Sequence, residues 1–166
     1  MGRPAFQNSP WSWVLSVYFL QGFPYTLVTV VTEILFQQQG LHNEQTTFYS
    51  SLLALPWMIK FLWGPLLECF GSKRAWIIYM QLLMGLCCLG MIFSSSIPLS
   101  GHFIAISMMN LMLFALFSAT HDFNSDGYYI LTLNQSRQAY FVGWRSGAYM
   151  AGRFMAQGGL IFLVGV

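Results

Sequence analysis

The sequence predicts an all-α, polytopic membrane protein with about five transmembrane helices. Hydrophobic residues make up 56% of the 166-residue chain and charged residues only 7%, more apolar surface than a water-soluble domain of this size can bury. That surface is gathered into runs near the roughly 20 residues that a hydrocarbon core requires. The few basic residues between the runs fall in alternate loops, as they do in multi-pass proteins.

Residues 1–10 read as a polar tail carrying Arg3. The opening Met1-Gly2-Arg3-Pro4-Ala5-Phe6 lacks the Ser or Thr that a myristoylation signal needs at its sixth position. No small-residue cleavage site follows the first apolar run, which is therefore a retained span over 11–36 rather than a signal peptide. Further spans are expected over 47–67, 75–94, 103–133 and 140–166, together with the first an incomplete transmembrane domain over 11–166. Arg3, the Lys73-Arg74 pair and Arg137 lie in the tail and in alternate loops, whereas 37–46 and 95–102 contain neither Lys nor Arg. The positive-inside rule then makes the N-terminus cytoplasmic. The fifth span ends at Leu163-Val164-Gly165-Val166 with no polar anchor, so the expectation is a fragment of a longer protein or a chain completed by a partner.

Composition also excludes some roles. The net charge is +2, and the seven basic residues are scattered, so no patch could neutralise a run of phosphates and nucleic acid is not an expected partner. Cys87 and Cys88 are adjacent within an apolar run and Cys69 sits at a helix end, which is no disulfide framework; all three read as small apolar filler.

Within the first span Thr26, Thr29 and Glu33 recur at spacings of three and four and share a face, with Gln37 a turn further on. That face is expected to look at water or at other polar groups. Gln21-Gly22-Phe23-Pro24 interrupts the same run, because proline removes a backbone donor and frees a carbonyl, giving either a broken helix of the kind that lines transporter sites or an ordinary kink packed among neighbours. The second span holds Lys60 between Pro56 and Pro65, about ten residues or roughly 15 Å from the turn at Gly71.

The fourth span carries His121-Asp122-Phe123-Asn124-Ser125-Asp126-Gly127. An ionisable group at membrane depth costs about 3 kcal/mol on insertion scales, so it persists only when paired, hydrated or needed. Folding the fourth and fifth spans into a hairpin about Gln135 brings Asp126 and Arg145 to a similar depth, and Lys60 is expected in that layer too. Two uses fit such a layer: an ion-pair cluster that sets helix register, or the lining of a solute pathway. Asp122 lies a turn deeper than Asp126 on the same face, with Ser118 beyond it and Ser125 alongside, and is a candidate proton carrier that His121 could serve by hydrogen bonding. Arg153 follows Arg145 on nearly the same face.

Asp122-x-Asn124-x-Asp126-Gly127 matches the opening of a calcium loop, yet Leu133 stands where the bidentate Glu belongs. No metal and no cofactor are expected. In the fifth span Gly143, Gly147 and Ala151 repeat every four residues, as do Ala148, Gly152 and Ala156, so another helix is expected to approach closely there.

Gly64-Pro65-Leu66-Leu67-Glu68-Cys69-Phe70-Gly71-Ser72-Lys73-Arg74 resembles the signature between the second and third helices of the major facilitator superfamily. Leu55-Pro56 with Lys60 to Leu66, then Ser118 to Asp122 with Asp126-Gly127, then Gly143-Trp144-Arg145, resemble the AmpG-like muropeptide permeases and related acetyl-CoA transporters. The departures are Glu68 where Asp is usual, Cys69 where a basic residue is usual, and His121 where Gln is common. The resemblance implies most of the N-terminal six-helix half of a major facilitator fold. It further implies proton-coupled uptake of an amphiphilic sugar derivative, such as a muropeptide, by alternating access across a bacterial inner membrane. The partners implied are the lipid bilayer, a small-molecule solute with protons, and a missing C-terminal half or a partner chain. On that scheme Asp122 and Asp126 couple protons, Lys60 and Arg145 balance their charge or meet an anionic solute, and Glu33 stands at the exterior mouth. Thr26, Thr29, His121 and Ser125 support them, and Gly64, Glu68, Gly71, Lys73 and Arg74 form the loop signature.

Two other classes compete. An intramembrane enzyme could use His121 and Asp122 as a base pair, but no Ser or Cys nucleophile motif accompanies them and no paired-His metal spacing appears, so no catalytic residue is assigned. A structural subunit of a larger membrane complex would account for the odd number of spans.

Overall fold

Six α-helices and one 3-10 turn make up the regular structure of the described residues, which are 10–38, 40–95 and 103–164 of a computed structural model. The tail up to residue 9, most of the 95–102 loop, and Gly165-Val166 lie outside them. The helices are α1 (Pro10–Gln38), α2 (Asn43–Ile59), α3 (Gly64–Cys69), α4 (Lys73–Ser95), α5 (Phe103–Thr132) and α6 (Gln135–Val164), with the 3-10 turn Lys60–Leu62 between α2 and α3. No strand occurs among the described residues, and the protein is a helical membrane protein. Among the described residues three stretches are long and apolar enough to cross a membrane: α1, Lys73–Ile92 of α4, and α5. α6 has the length, but glycines, arginines and glutamines dilute its apolar character.

Local chemistry places the ends. Pro10 opens α1, where its missing N–H is no loss. Gly40, at φ 80°, ends it in the left-handed region, its N–H donating to Gln37 O at 2.9 Å. At the start of α2 the Gln45 side chain reaches back to accept from the His42 N–H at 3.3 Å. Gly71, at φ 74°, makes the turn into α4, and the Trp76 indole N–H donates across it to Phe70 O. Asn134 Oδ1 accepts from the Arg137 N–H at 3.0 Å and caps α6, which begins five residues before the expected 140.

Two expectations about broken helices are corrected. α1 runs without interruption through Pro24, whereas the expected single span over 47–67 is divided. Pro65 supplies no N–H to Phe61 O and its ring crowds that carbonyl, so the α-helix stops at Ile59, tightens into the 3-10 turn at Lys60, and restarts at Gly64. Trp63, at the junction, donates its indole N–H to Thr120 Oγ1 on α5 at 3.1 Å.

α5 is the central element, touching α1, α2 and α4, while α6 packs chiefly on α1 rather than on α5, its hairpin partner. The α1–α6 crossing is set by two glycines: a Cβ on Gly22 would stand 2.1 Å from Tyr149 O, and one on Gly152 would stand 2.1 Å from Phe19 O. The two backbones therefore touch, which only small residues permit. Of the two expected small-residue stripes, the one with Ala148, Gly152 and Ala156 meets α1. Gly143 and Gly147 of the other have nothing within 4 Å and face outward. The apolar core has two parts, one around Leu53, Leu111 and Phe114 with Cys87 as filler, the other around Val14, Tyr18, Tyr129 and Phe141.

Candidate functional site

The polar side chains of α5 turn inward. Ser107, Ser118, Asp122, Ser125 and Tyr129 recur at helical spacing along its buried face, each less than a tenth exposed. Apolar residues of the same helix, Met109, Leu113, Ile130 and Leu131, face outward. A helix that is polar inside and apolar outside is the inverse of a soluble one, and its polar groups must find partners within the bundle.

Asp126 finds them on α1 and α6. Its Oδ1 accepts from the Tyr18 hydroxyl at 2.9 Å and lies 3.5 Å from Arg145 Nη2, while Arg145 Nη1 donates to the Tyr18 oxygen at 3.1 Å. The guanidinium carbon sits 4.6 Å from the Tyr18 ring centre and 5.1 Å from that of Tyr129, so the cation is held by two aromatic faces and a carboxylate. Tyr129 is fixed in turn: its hydroxyl donates to Gln138 O at 2.6 Å, and the Gln138 amide donates to Leu133 O at 2.6 Å and Ile130 O at 3.1 Å, closing the end of α5. The triad is charge-balanced, and it ties three helices at one level.

Asp122, one turn away, stands differently. It is 7% exposed, its Oδ1 has no hydrogen-bond partner, and the His121 Nδ1 beside it is 3.9 Å off. Lys60 acts on it by Coulomb attraction, Asp126 by repulsion, and Tyr149 of α6 is close enough to feel its charge. No described residue forms a salt bridge with Lys60. Of the expected layer of Lys60, Asp126 and Arg145, Asp126 and Arg145 are in contact, whereas Lys60 forms no salt bridge with either carboxylate among the described residues.

His121 points to the other side. It is 1% exposed, with Nε2 3.2 Å from Gln81 Nε2 on α4 and Nδ1 3.5 Å from Ser125 Oγ. The Gln81 amide donating to Nε2 leaves the proton on Nδ1, toward Ser125 and Asp122. Beyond Asp122 an aromatic and cationic wall continues: Arg153 lies 5.6 Å over the Tyr25 ring, and Tyr25 meets Trp57 edge-on at 5.3 Å.

The remaining expected residues are dispersed. Thr26 and Thr29 do not offer their hydroxyls to a pathway: Thr26 Oγ1 bonds Gly22 O at 3.5 Å, and Thr29 Oγ1 bonds Tyr25 O at 3.0 Å, both in their own helix. Glu33 is exposed near the far end of α1 and is not part of either group. At the opposite end the loop signature does assemble. Lys73 bridges to Glu68 at 3.2 Å, lies 5.3 Å over the Phe123 ring, and packs its stem where a Cβ on Gly127 would sit; Gly64 lets the same ring approach. An opening of about 530 Å³ at the α5–α6 turn and an apolar one of about 230 Å³ beside Leu111 are lined by none of Lys60, Asp122, Asp126 and Arg145.

Asp122 and Asp126 stand on a helix apolar enough to cross a membrane, where ionisable groups persist only when paired, hydrated or needed, and Lys60 and Arg145 are on neighbouring elements. A model of the BT1 family matches residues 21–161, which include all of them. The chain belongs to the BT1 family. It is a family of transporters, within the major-facilitator-like group. No solved structure matches the chain. Within this BT1-family chain Tyr18 lies three positions before the match, and sequence reasoning passed over it along with Gln81 and Tyr149. The missed signal was a polar-tipped aromatic several turns inside an apolar run, where a hydroxyl needs a partner.

Proposed function

We propose that this BT1-family chain forms one wall of a proton-coupled secondary active transporter that moves an amphiphilic solute by alternating access. The observation that carries the reading is the Asp122 carboxylate, buried with Oδ1 unpartnered beside a charge-balanced neighbour. Asp126 is occupied by Tyr18 and Arg145, so Asp122 is the carboxylate free to take a proton, with Lys60 as the counter-charge or the contact for an anionic solute. Tyr25 and Trp57 offer rings to an apolar part of the solute, with Arg153 beside them. Glu33 is assigned to the exterior mouth.

On this reading α2 with α3, and α6, also cross the membrane, the N-terminus is cytoplasmic, and the membrane is a bacterial inner membrane. A further helical unit, in the same chain or in a partner, faces the open Gly143–Gly147 side of α6. The resemblance to AmpG-like permeases supports a muropeptide as the solute.

The test is uptake of a radiolabelled muropeptide into vesicles bearing the complete transporter, this chain together with the further helical unit, driven by an inward proton gradient. Accumulation is expected in wild type, and Asp122→Asn abolishes it while the protein still inserts. Undiminished accumulation by Asp122→Asn rules out the coupling role. No accumulation by wild type removes the muropeptide.

A further inference from the structure

The α5–α6 turn and the first residues of α1 border an open surface groove of about 530 Å³. One wall is aromatic, made by Trp11, Tyr140 and Phe141; the other is polar, made by Asn134, Ser136 and Arg137. The aromatic wall is held firmly, since Trp11 meets Tyr140, Phe141 and Trp144 edge-on at 5.9, 5.1 and 5.0 Å. Trp11, Tyr140 and Trp144 are nonetheless 36%, 60% and 50% exposed. Half-exposed Trp and Tyr at the ends of apolar helices are the mark of the membrane–water boundary, where their rings sit at headgroup level.

The polar wall has an unspent cation. The Arg137 backbone N–H is used by Asn134 Oδ1, but no described residue accepts from its guanidinium. Asn134 keeps its amide N–H groups and Ser136 its hydroxyl for a further acceptor. The charge of the whole bundle end agrees. Lys73, packed against Gly127, and Arg74 stand at this end with Glu68 as the acid, whereas the other end presents Glu33 and Glu44, and 37–46 has no Lys or Arg.

We propose that this groove seats the phosphate of an anionic phospholipid headgroup. The Arg137 fork pairs with two phosphate oxygens, Ser136 and Asn134 donate to the remaining ones, and the glycerol and acyl chains leave past Trp11 and Tyr140. A lipid suits the site better than free phosphate because three of the seven lining residues, Trp11, Tyr140 and Phe141, are aromatic and offer acyl chains an apolar path that free phosphate would not use. The site is two turns from Arg145 and independent of the coupling reading, so either can fail alone.

Native mass spectrometry of the whole chain, with phosphatidylglycerol and phosphatidylcholine of matched acyl chains, tests it. Wild type retains one phosphatidylglycerol at collision energies that strip phosphatidylcholine. Arg137→Gln lowers that retention about five-fold, the worth of one basic side chain near an anionic surface. Ser136→Asp, which sets a like charge against the phosphate and leaves the guanidinium in place, gives a similar loss. Equal retention of the two lipids overturns the proposal, as does unchanged retention in both variants. Complete displacement of phosphatidylglycerol by millimolar inorganic phosphate overturns it in favour of a free-phosphate site.

Discussion

Tyr18 and Asp126, 108 positions apart, share a hydrogen bond of 2.9 Å in which the tyrosine hydroxyl donates to Oδ1. Because the same hydroxyl oxygen accepts from Arg145 at 3.1 Å, tyrosine is the link through which α5 and α6 are joined by way of α1. Asp126 of α5 and Arg145 of α6 also meet directly at 3.5 Å, so the tyrosine on α1 braces an ion pair between two helices whose backbones pack little against each other.

Tyr18→Phe therefore removes more than one hydroxyl. It leaves Asp126 and Arg145 facing each other at 3.5 Å without their bridge. A hydrogen bond to a charged group contributes about 1.5–3 kcal/mol when buried; with Asp126 about a third exposed, a loss of about 1–2 kcal/mol is expected. Thermal unfolding in detergent measures it. In a double-mutant cycle Tyr18→Phe and Arg145→Gln should be non-additive, and additivity would mean the two act independently.

Gly152→Ala and Gly22→Ala should each lower stability, whereas Gly143→Ala should not. At the first two positions a methyl group meets backbone oxygen at 2.1 Å, which no rotamer change can relieve, so α1 and α6 must separate at a cost of about 1–3 kcal/mol. Gly143 has nothing within 4 Å, and alanine there gains roughly 0.5–1 kcal/mol of helix propensity. Melting temperatures of the three variants should rank accordingly; equal values would disprove the close crossing.

Gly64→Ala is expected to be destabilising for a different reason. Its methyl would stand 2.4 Å from the Phe123 ring, a side chain rather than backbone. Shortening the ring should cure the clash, so Gly64→Ala combined with Phe123→Leu should be more stable than the sum of the two single losses. Thermal shift of the four proteins in the cycle reads this directly.

Gln81→Leu strands the Nε2 of a buried histidine and should cost about 1–3 kcal/mol. His121→Leu alone strands the Gln81 amide in turn. Replacing both removes the polar pair together, and its loss should be smaller than the sum, measured by the same unfolding assay. Full additivity would show that the pair does not form.

The helices were legible because helix formation is a local matter of apolar run length, proline and glycine. Lengths and periods marked α1, α4 and α5 to within about two residues. The break at Lys60 was less legible, since Pro24 and Pro65 look alike in sequence. Their different outcomes follow from packing. α1 is clamped to α6 at Gly22, two residues from Pro24, whereas the start of α3 is held to α5 by the Trp63–Thr120 hydrogen bond and the close approach of Phe123 to Gly64. Depth was readable too: counting residues from the Gln135 turn brought Asp126 and Arg145 to one level, and they are in contact.

Chain order and hydropathy by themselves determined that this is a membrane protein, where most of its helices run, and that Asp126 and Arg145 come to one level, because rise per residue converts sequence distance into distance along the helix axis. Only the tertiary structure decided which way each side chain turns about that axis and which helix stands opposite. Hence Tyr18 came to serve Asp126, Gln81 to serve His121, and the Gly152 stripe rather than the Gly143 stripe to meet α1. Azimuth and neighbour order are set by the fit of whole helix surfaces against one another, a property that no single segment contains.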